Sequence, residues 1–250
     1  MKLDGKVAII TGAGRGLGKA ISLRLATEGA RIVAADIDFD NCKASVQELQ
    51  EKGLTAIATK VDVTEEKDIS RMVEETISNL GAIDVLINNA ALYYGISWKP
   101  FDKISIDEWD RVMTVNVRGC WQCSKAVVPQ MRKQGKGKIV NVASSAFYTP
   151  PGVFCHYTAS KGAVIGLTRA LATELGATGI NVNAIAPGPT MTEATTMVMP
   201  EDRALKAAER TSLKRLQQPE DVVGATLFLS SEDSDFITGQ TIIIDGGRAF

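Results

Sequence analysis

"VAIITGAGRGLGKAISLRLATEG", residues 7–29, decides the fold. Its first five residues are a β-branched apolar run, the next few a glycine-rich turn, and the rest an amphipathic stretch closed by Gly29. Glycines alone are a weak signal, because they also serve ordinary tight turns. A strand, a glycine turn and a helix in that order form the context in which backbone N–H groups and the positive helix end face a pyrophosphate.

The same alternation continues along the chain. Apolar strand candidates lie at 31–36, 55–62, 85–89, 138–142, 180–186 and 241–245, with helical patterns between them such as "EEKDISRMVEETISNLG". Continuously apolar strands separated by helices imply a parallel sheet covered on both faces. The expectation is an α/β, doubly wound, Rossmann-type sheet of about seven strands, with residues 1–250 forming one dinucleotide-binding and catalytic domain. No linker or shift of composition interrupts it.

In such sheets ligands bind beyond the carboxyl ends of the strands. The second strand candidate ends at Asp36, about 20 residues after the glycine turn, where an acid can accept from adenosine ribose hydroxyls and repel a 2′-phosphate. Asp38 adds to that repulsion. Arg15, inside the loop, opposes it, since a guanidinium there could reach a 2′-phosphate, but no second basic residue follows Asp36. NAD is therefore the expected cofactor. Gly12, Arg15, Gly16, Leu17, Gly18 and Asp36 are its first contacts.

Composition excludes several alternatives. The 250 residues carry a net charge of −1, with no basic excess for nucleic acid or an anionic membrane. The start "MKLDGKVAII" lacks a signal-peptide apolar region, and no apolar run reaches the ~18 residues of a membrane span. A soluble, cytoplasmic protein is expected. "CWQC" (120–123) has C-x-x-C spacing but lies in a helical pattern without further ligands nearby, so its thiols are read as core residues and no metal is expected.

Several separated motifs together resemble the short-chain dehydrogenase/reductase family over nearly the whole chain, Lys6 to Gly247. They are "TGAGRGLG", "DV" (62–63), "NNAA" (88–91), Asn116, Ser144, "YTASK" (157–161), "PGPTMT" (187–192) and the closing "DGG". The resemblance implies adenine contacts at Asp62 and Val63, a ribose border at Asn89, and a nicotinamide and pyrophosphate site at Pro187, Gly188, Thr190 and Thr192. It also implies catalytic roles for Asn116, Ser144, Tyr157 and Lys161, with Tyr157 and Lys161 contacting cofactor as well. Asn116 would hold a water joining Lys161 to solvent. Ala91 stands where the family commonly has glycine, which bears on the local loop geometry.

The spacing of Tyr157 and Lys161 has a physical reason. Taking a proton from an alcohol suits a tyrosinate, but free tyrosine has a pKa of about 10, and bringing it near 7 requires roughly 4 kcal/mol. A cation some 4–5 Å away at an effective dielectric of about 20 supplies approximately that. Residues i and i+4 share a helix face, so Lys161 can flank Tyr157. Desolvation works the other way. Ser144 would position the substrate oxygen. His156, the only histidine, points about 100° away from Tyr157 on a helix and is read as a capping or packing residue.

The expected reaction interconverts a secondary alcohol and a ketone. Aromatics gather in the loops after "NNAA" and Ser144, so an apolar, aromatic substrate such as a 1-arylethanol or acetophenone is expected, in a pocket of Tyr93, Tyr94, Ser144, Phe147, Tyr148, Phe154, Tyr157 and Met191. Met197 and Met199 add apolar surface. The alternatives are a 3-oxoacyl thioester reductase, for which NADP and a basic carrier-docking patch would be expected, and a non-catalytic nucleotide-sensing relative. Gly162, Ala163 and Gly166, small residues on an apolar helix, together with the resemblance, imply a homotetramer.

Overall fold

The computed structural model describes residues 1–96, 98–198 and 201–249. Seven strands, β1 (Val7–Thr11), β2 (Arg31–Asp36), β3 (Ala56–Lys60), β4 (Val85–Asn88), β5 (Gly137–Val142), β6 (Ile180–Pro187) and β7 (Thr241–Ile244), form one parallel sheet in the order β3-β2-β1-β4-β5-β6-β7. Ile9 pairs with Val33 on one side and Leu86 on the other. Connections leave β1 and β4 in opposite directions across the sheet, which opens a crevice at their carboxyl ends.

Helices α1 (Gly16–Thr27), α2 (Phe39–Glu51), α3 (Glu66–Leu80), α4 (Ile106–Met113), α5 (Cys120–Gln134), α6 (Cys155–Leu175), α7 (Glu193–Val198), α8 (Glu201–Glu209) and α9 (Pro219–Ser230) are the α-helices among the described residues. Strand side chains alternate between two apolar layers. Ala8, Ile10, Ile32, Ala34 and Ile87 pack with α1, α2 and α9. Val7, Ile9, Val33, Leu86 and Ile139 pack with α3 and α5 on the other face. Both faces exclude water, which explains why these strands read as unbroken apolar runs.

Three strands end earlier than the sequence suggests, β7 by one residue at Ile244 and β3 and β4 at the rim of the crevice. After β3 the chain turns at Asp62, whose carboxylate accepts Thr64 N–H at 2.8 Å and Thr64 Oγ1 at 2.7 Å. After β4, Asn89 N–H turns back to Thr11 Oγ1 at 3.1 Å and leaves the ladder. The departures at Asp62 and Asn89 face the crevice and shape its rim.

Cys120 and Cys123 are buried in α5, and burial pushes the Cys120 thiol up to about 12. That suits packing rather than thiolate chemistry. Among the described residues no helix is long and apolar enough to cross a membrane.

Candidate active site

The glycine turn is held by close packing at two points. A Cβ on Gly18 would stand 2.0 Å from the Gly12 carbonyl oxygen, and one on Gly12, whose φ is +66°, would stand 2.9 Å from Ala90 Cα. Only glycine lets α1 start this near β1. Asn89 fixes the arrangement by donating its amide to both Thr11 O and Gly12 O at 2.9 Å. Its NH₂ group is thereby engaged in the loop, and Asn89 lines the cleft where a ribose border is expected.

The start of α1 has no side-chain cap from Arg15, which leaves its first N–H groups with no capping side chain. Gly16 and Leu17 line the cleft there. An anionic pyrophosphate completes such a helix start. At the end of β2, Asp36 accepts Gly14 N–H at 2.8 Å and Asp38 N–H at 2.9 Å, so its carboxylate is locked beside the turn. The Arg15 guanidinium lies over the Tyr94 ring, 5.3 Å from its centroid, and not against Asp36.

The cleft measures about 1170 Å³. Gly12, Arg15, Asp36, Asp62, Val63 and Asn89 line it together with Ser144, Tyr157, Lys161, Pro187, Gly188, Thr190 and Thr192. The loop after β6 is clamped by Gln217, which sequence reasoning missed. Gln217 Nε2 donates to Ile244 O at 2.6 Å, its Oε1 lies 3.1 Å from Thr190 Oγ1, and its carbonyl accepts Met191 N–H at 2.8 Å. Only these long-range bonds reveal it.

α6 brings Tyr157 and Lys161 to the crevice. Lys161 is 3% exposed, donates to Val142 O at 2.7 Å, and stands 5.7 Å from the Tyr157 ring centroid. Burial lowers its pKa to about 8. Tyr157 is raised above the ordinary phenol value, first by burial and next by Tyr93, while the adjacent Ser144 works against them. The lowering by Lys161 that the spacing suggested is not among these influences in the protein alone, where desolvation dominates. The phenol stays protonated at neutral pH.

Asn116 lies behind the cleft. Between α4 and α5 the helix opens into a π-turn, Thr114–Gly119, which turns Asn116 inward. Its Oδ1 accepts Leu92 N–H at 2.7 Å and its Nδ2 donates to Ser160 Oγ at 3.0 Å. Ser160 Oγ in turn donates to Tyr157 O at 2.7 Å. The Asn116 side chain thus joins the loop after β4 to the Tyr157 backbone and makes no direct bond to Lys161. Beneath it, Asn88 donates to Ser124 Oγ at 3.0 Å and to Asn141 Oδ1 at 2.9 Å, and Asn141 donates to Thr168 Oγ1 at 2.9 Å. This buried polar ladder ties β4 and β5 to α5 and α6.

The aromatic residues divide. Tyr93, Tyr94, Trp98 and Phe154 line the cleft, and Phe154 lies 4.8 Å from Tyr157 and 4.9 Å from Trp98 between ring centroids. Phe154 is 2% exposed and has φ +86°, a left-handed conformation uncommon without glycine. Phe147 and Tyr148 correct the expected pocket. Phe147 sits over Gly162, where a Cβ would meet its ring at 2.8 Å, and Tyr148 packs edge-on against Phe147, so neither lines the cleft. Met191 faces a smaller neighbouring pocket with Thr196 and Pro219. Met199 and the Met197 side chain lie outside the described residues. His156 is fully buried, with Nε2 3.1 Å from Glu108 Oε1, in a packing role.

Comparison with known proteins matches residues 12–249 to the family described as enoyl-(acyl carrier protein) reductase. The 7alpha-hydroxysteroid dehydrogenase of Escherichia coli K12 is 38% identical over 247 residues, covering 99% of this chain and 95% of its own. A 3-oxoacyl-(acyl-carrier-protein) reductase of Thermotoga maritima is 41% identical over 253 residues, covering 99% of each chain. The solved 7alpha-hydroxysteroid dehydrogenase in complex with NADH and 7-oxo glycochenodeoxycholic acid superposes with a TM-score of 0.93 at 38% identity, covering 98% of this chain and 95% of that one.

Proposed function

The chain belongs to the short-chain dehydrogenase/reductase family, oxidoreductases acting on hydroxyl and keto groups, and from that premise we propose that it interconverts a secondary alcohol and an aromatic or otherwise apolar ketone with NAD. The observation that carries the reading is the meeting of Ser144, Tyr157 and Lys161 in one cleft with a locked Asp36.

The residues fit a nicotinamide dinucleotide: the uncapped start of α1 suits a pyrophosphate and Asp36 suits ribose hydroxyls. When bound, the cofactor supplies or accepts the hydride, and its oxidised form carries a positive charge. In reduction, Ser144 Oγ holds the carbonyl oxygen and the Tyr157 phenol gives that oxygen its proton. In oxidation the proton returns to Tyr157, whose anion the Lys161 ammonium stabilises. The raised Tyr157 pKa favours the protonated, donating form.

NAD over NADP is supported by the charge of Asp36 and by Arg15 lying on Tyr94. An aryl substrate is supported by Tyr93, Trp98 and Phe154 in the cleft wall. A 3-oxoacyl thioester is the second reading, favoured by Lys206, Arg210 and Arg248 in the same cleft. The discriminating experiment compares kcat/KM for acetophenones, 2-alkanones and acetoacetyl thioesters with NADH and NADPH. A higher value for the thioester would replace the aryl reading.

We also propose a homotetramer. Phe147 covers Gly162, but Gly166 opens on space, and Ile106, Trp109 and Trp121 are exposed on α4 and α5, apolar surface that suits a second copy. Light scattering at micromolar concentration tests it, and a monomer would refute it.

A further inference from the structure

Two arginines remote in sequence line the cleft together with Ser144 and Tyr157. Arg210 follows α8, and Arg248 lies in the turn after β7. Their segments are stitched together: Leu213 N–H donates to Gly246 O at 3.1 Å, Ser212 Oγ donates to Gly247 O at 2.9 Å, and Gly246 packs on Thr211.

No carboxylate pairs with either guanidinium among the described residues. Asp245, the nearest acid to Arg248 in sequence, is buried and accepts the N–H groups of Gly247, Arg248 and Ala249 at 3.1, 3.0 and 3.0 Å. Its oxygens hold the turn. Burial, and after it Arg210, lowers the Arg248 pKa, and Asp245 offsets this only in part. Arg248 is half-buried and Arg210 exposed at the cleft, so an anion between them would relieve the repulsion that Arg248 feels. Their planar forks match the two oxygens of a carboxylate.

We propose that the substrate is an oxo acid or hydroxy acid, its carboxylate held between Arg210 and Arg248 while its carbonyl or carbinol carbon meets Ser144 and Tyr157. The inference rests on the reading of this cleft as the site of carbonyl reduction and names its substrate class. Aromatic side chains then contact the body of the substrate, and the arginines select for its charged end. The charge requirement distinguishes this class from neutral acetophenones.

The test pairs 4-oxo-4-phenylbutanoate with its carboxamide, which keeps the shape and removes the charge. Turnover with NADH is measured, and in parallel calorimetric binding of each ketone to the enzyme–NAD⁺ complex, where reduction cannot proceed. The acid is expected to exceed the amide by at least about tenfold in both kcat/KM and affinity, the scale of one charge-assisted contact. In Arg210→Gln and Arg248→Gln that ratio collapses to within about twofold, and Arg248→Lys retains part of it.

Equal values for acid and amide in the unaltered enzyme would overturn the proposal. So would arginine variants that weaken NADH and both ketones alike, which would assign the charges to the cofactor. Preferential, arginine-dependent binding of the acid without turnover would leave the anion site standing and remove the reductase reading. Equal turnover of acid and amide would do the reverse.

Discussion

The Lys161 ammonium donates to the Val142 carbonyl at 2.7 Å and stands 5.7 Å from the centre of the Tyr157 ring, both groups nearly sealed from solvent. One backbone carbonyl therefore fixes the cation at the end of β5, on the side of α6 that carries the phenol. The arrangement is costly to the folded protein by itself, because burial disfavours the Lys161 charge while the Tyr157 phenol stays neutral.

That cost gives a pH signature. Lys161 falls from an ordinary 10.5 to about 8 in the folded state, so between these values the unfolded chain binds more protons and stability rises with pH. The stability of the unaltered protein relative to Lys161→Met should be flat below pH ~8. It should then climb by about 3 kcal/mol on approaching pH ~10.5, at 1.36 kcal/mol per unit. Urea titrations of both proteins across that range check this. A flat difference would mean that Lys161 titrates as an ordinary, solvated lysine when folded.

Asp36→Asn should narrow the preference for NAD over NADP by about tenfold, the scale of one screened charge pair. Asparagine keeps one of the two acceptors that hold Gly14 and Asp38 N–H, so the loop is less disturbed than with alanine. Ratios of kcat/KM for the two cofactors measure it. An unchanged ratio would remove Asp36 as the discriminator.

Phe154 gives a paired prediction. Phe154→Ala should cost about 3–5 kcal/mol, because a buried ring touching Tyr93, Trp98 and Tyr157 is lost. Phe154→Gly removes the same ring yet suits φ +86°, so it should be at least as stable as the alanine variant. Thermal unfolding of the two variants decides. A clearly less stable glycine variant would show that the left-handed backbone stores no strain.

What the sequence made legible was whatever leaves a periodic or local trace. Strands buried on both faces read as apolar runs, and the turn from Thr11 to Gly18 read as a loop between strand and helix. The π-turn at Thr114–Gly119 left no periodic trace, so Asn116 was legible as a site residue through the resemblance and not through helix geometry. Phe147, Tyr148 and Phe154 lie close together in irregular chain, where nothing local says which ring faces the cleft. Phe147 went to Gly162 and Phe154 to Tyr157. Ser160, Gln217, Arg210 and Arg248 act through contacts between distant segments, and no local pattern carries those.

The most direct measurement of the central claim is single-turnover reduction by Tyr157→Phe with NADH binding followed in the same preparation. Phenylalanine keeps the ring against Phe154 and Tyr93 and removes only the proton donor. The rate should fall by about 10²–10⁴-fold with NADH affinity essentially unchanged. A variant retaining more than about a tenth of the original rate would contradict Tyr157 as the proton donor, since general acid catalysis contributes at least about a hundredfold.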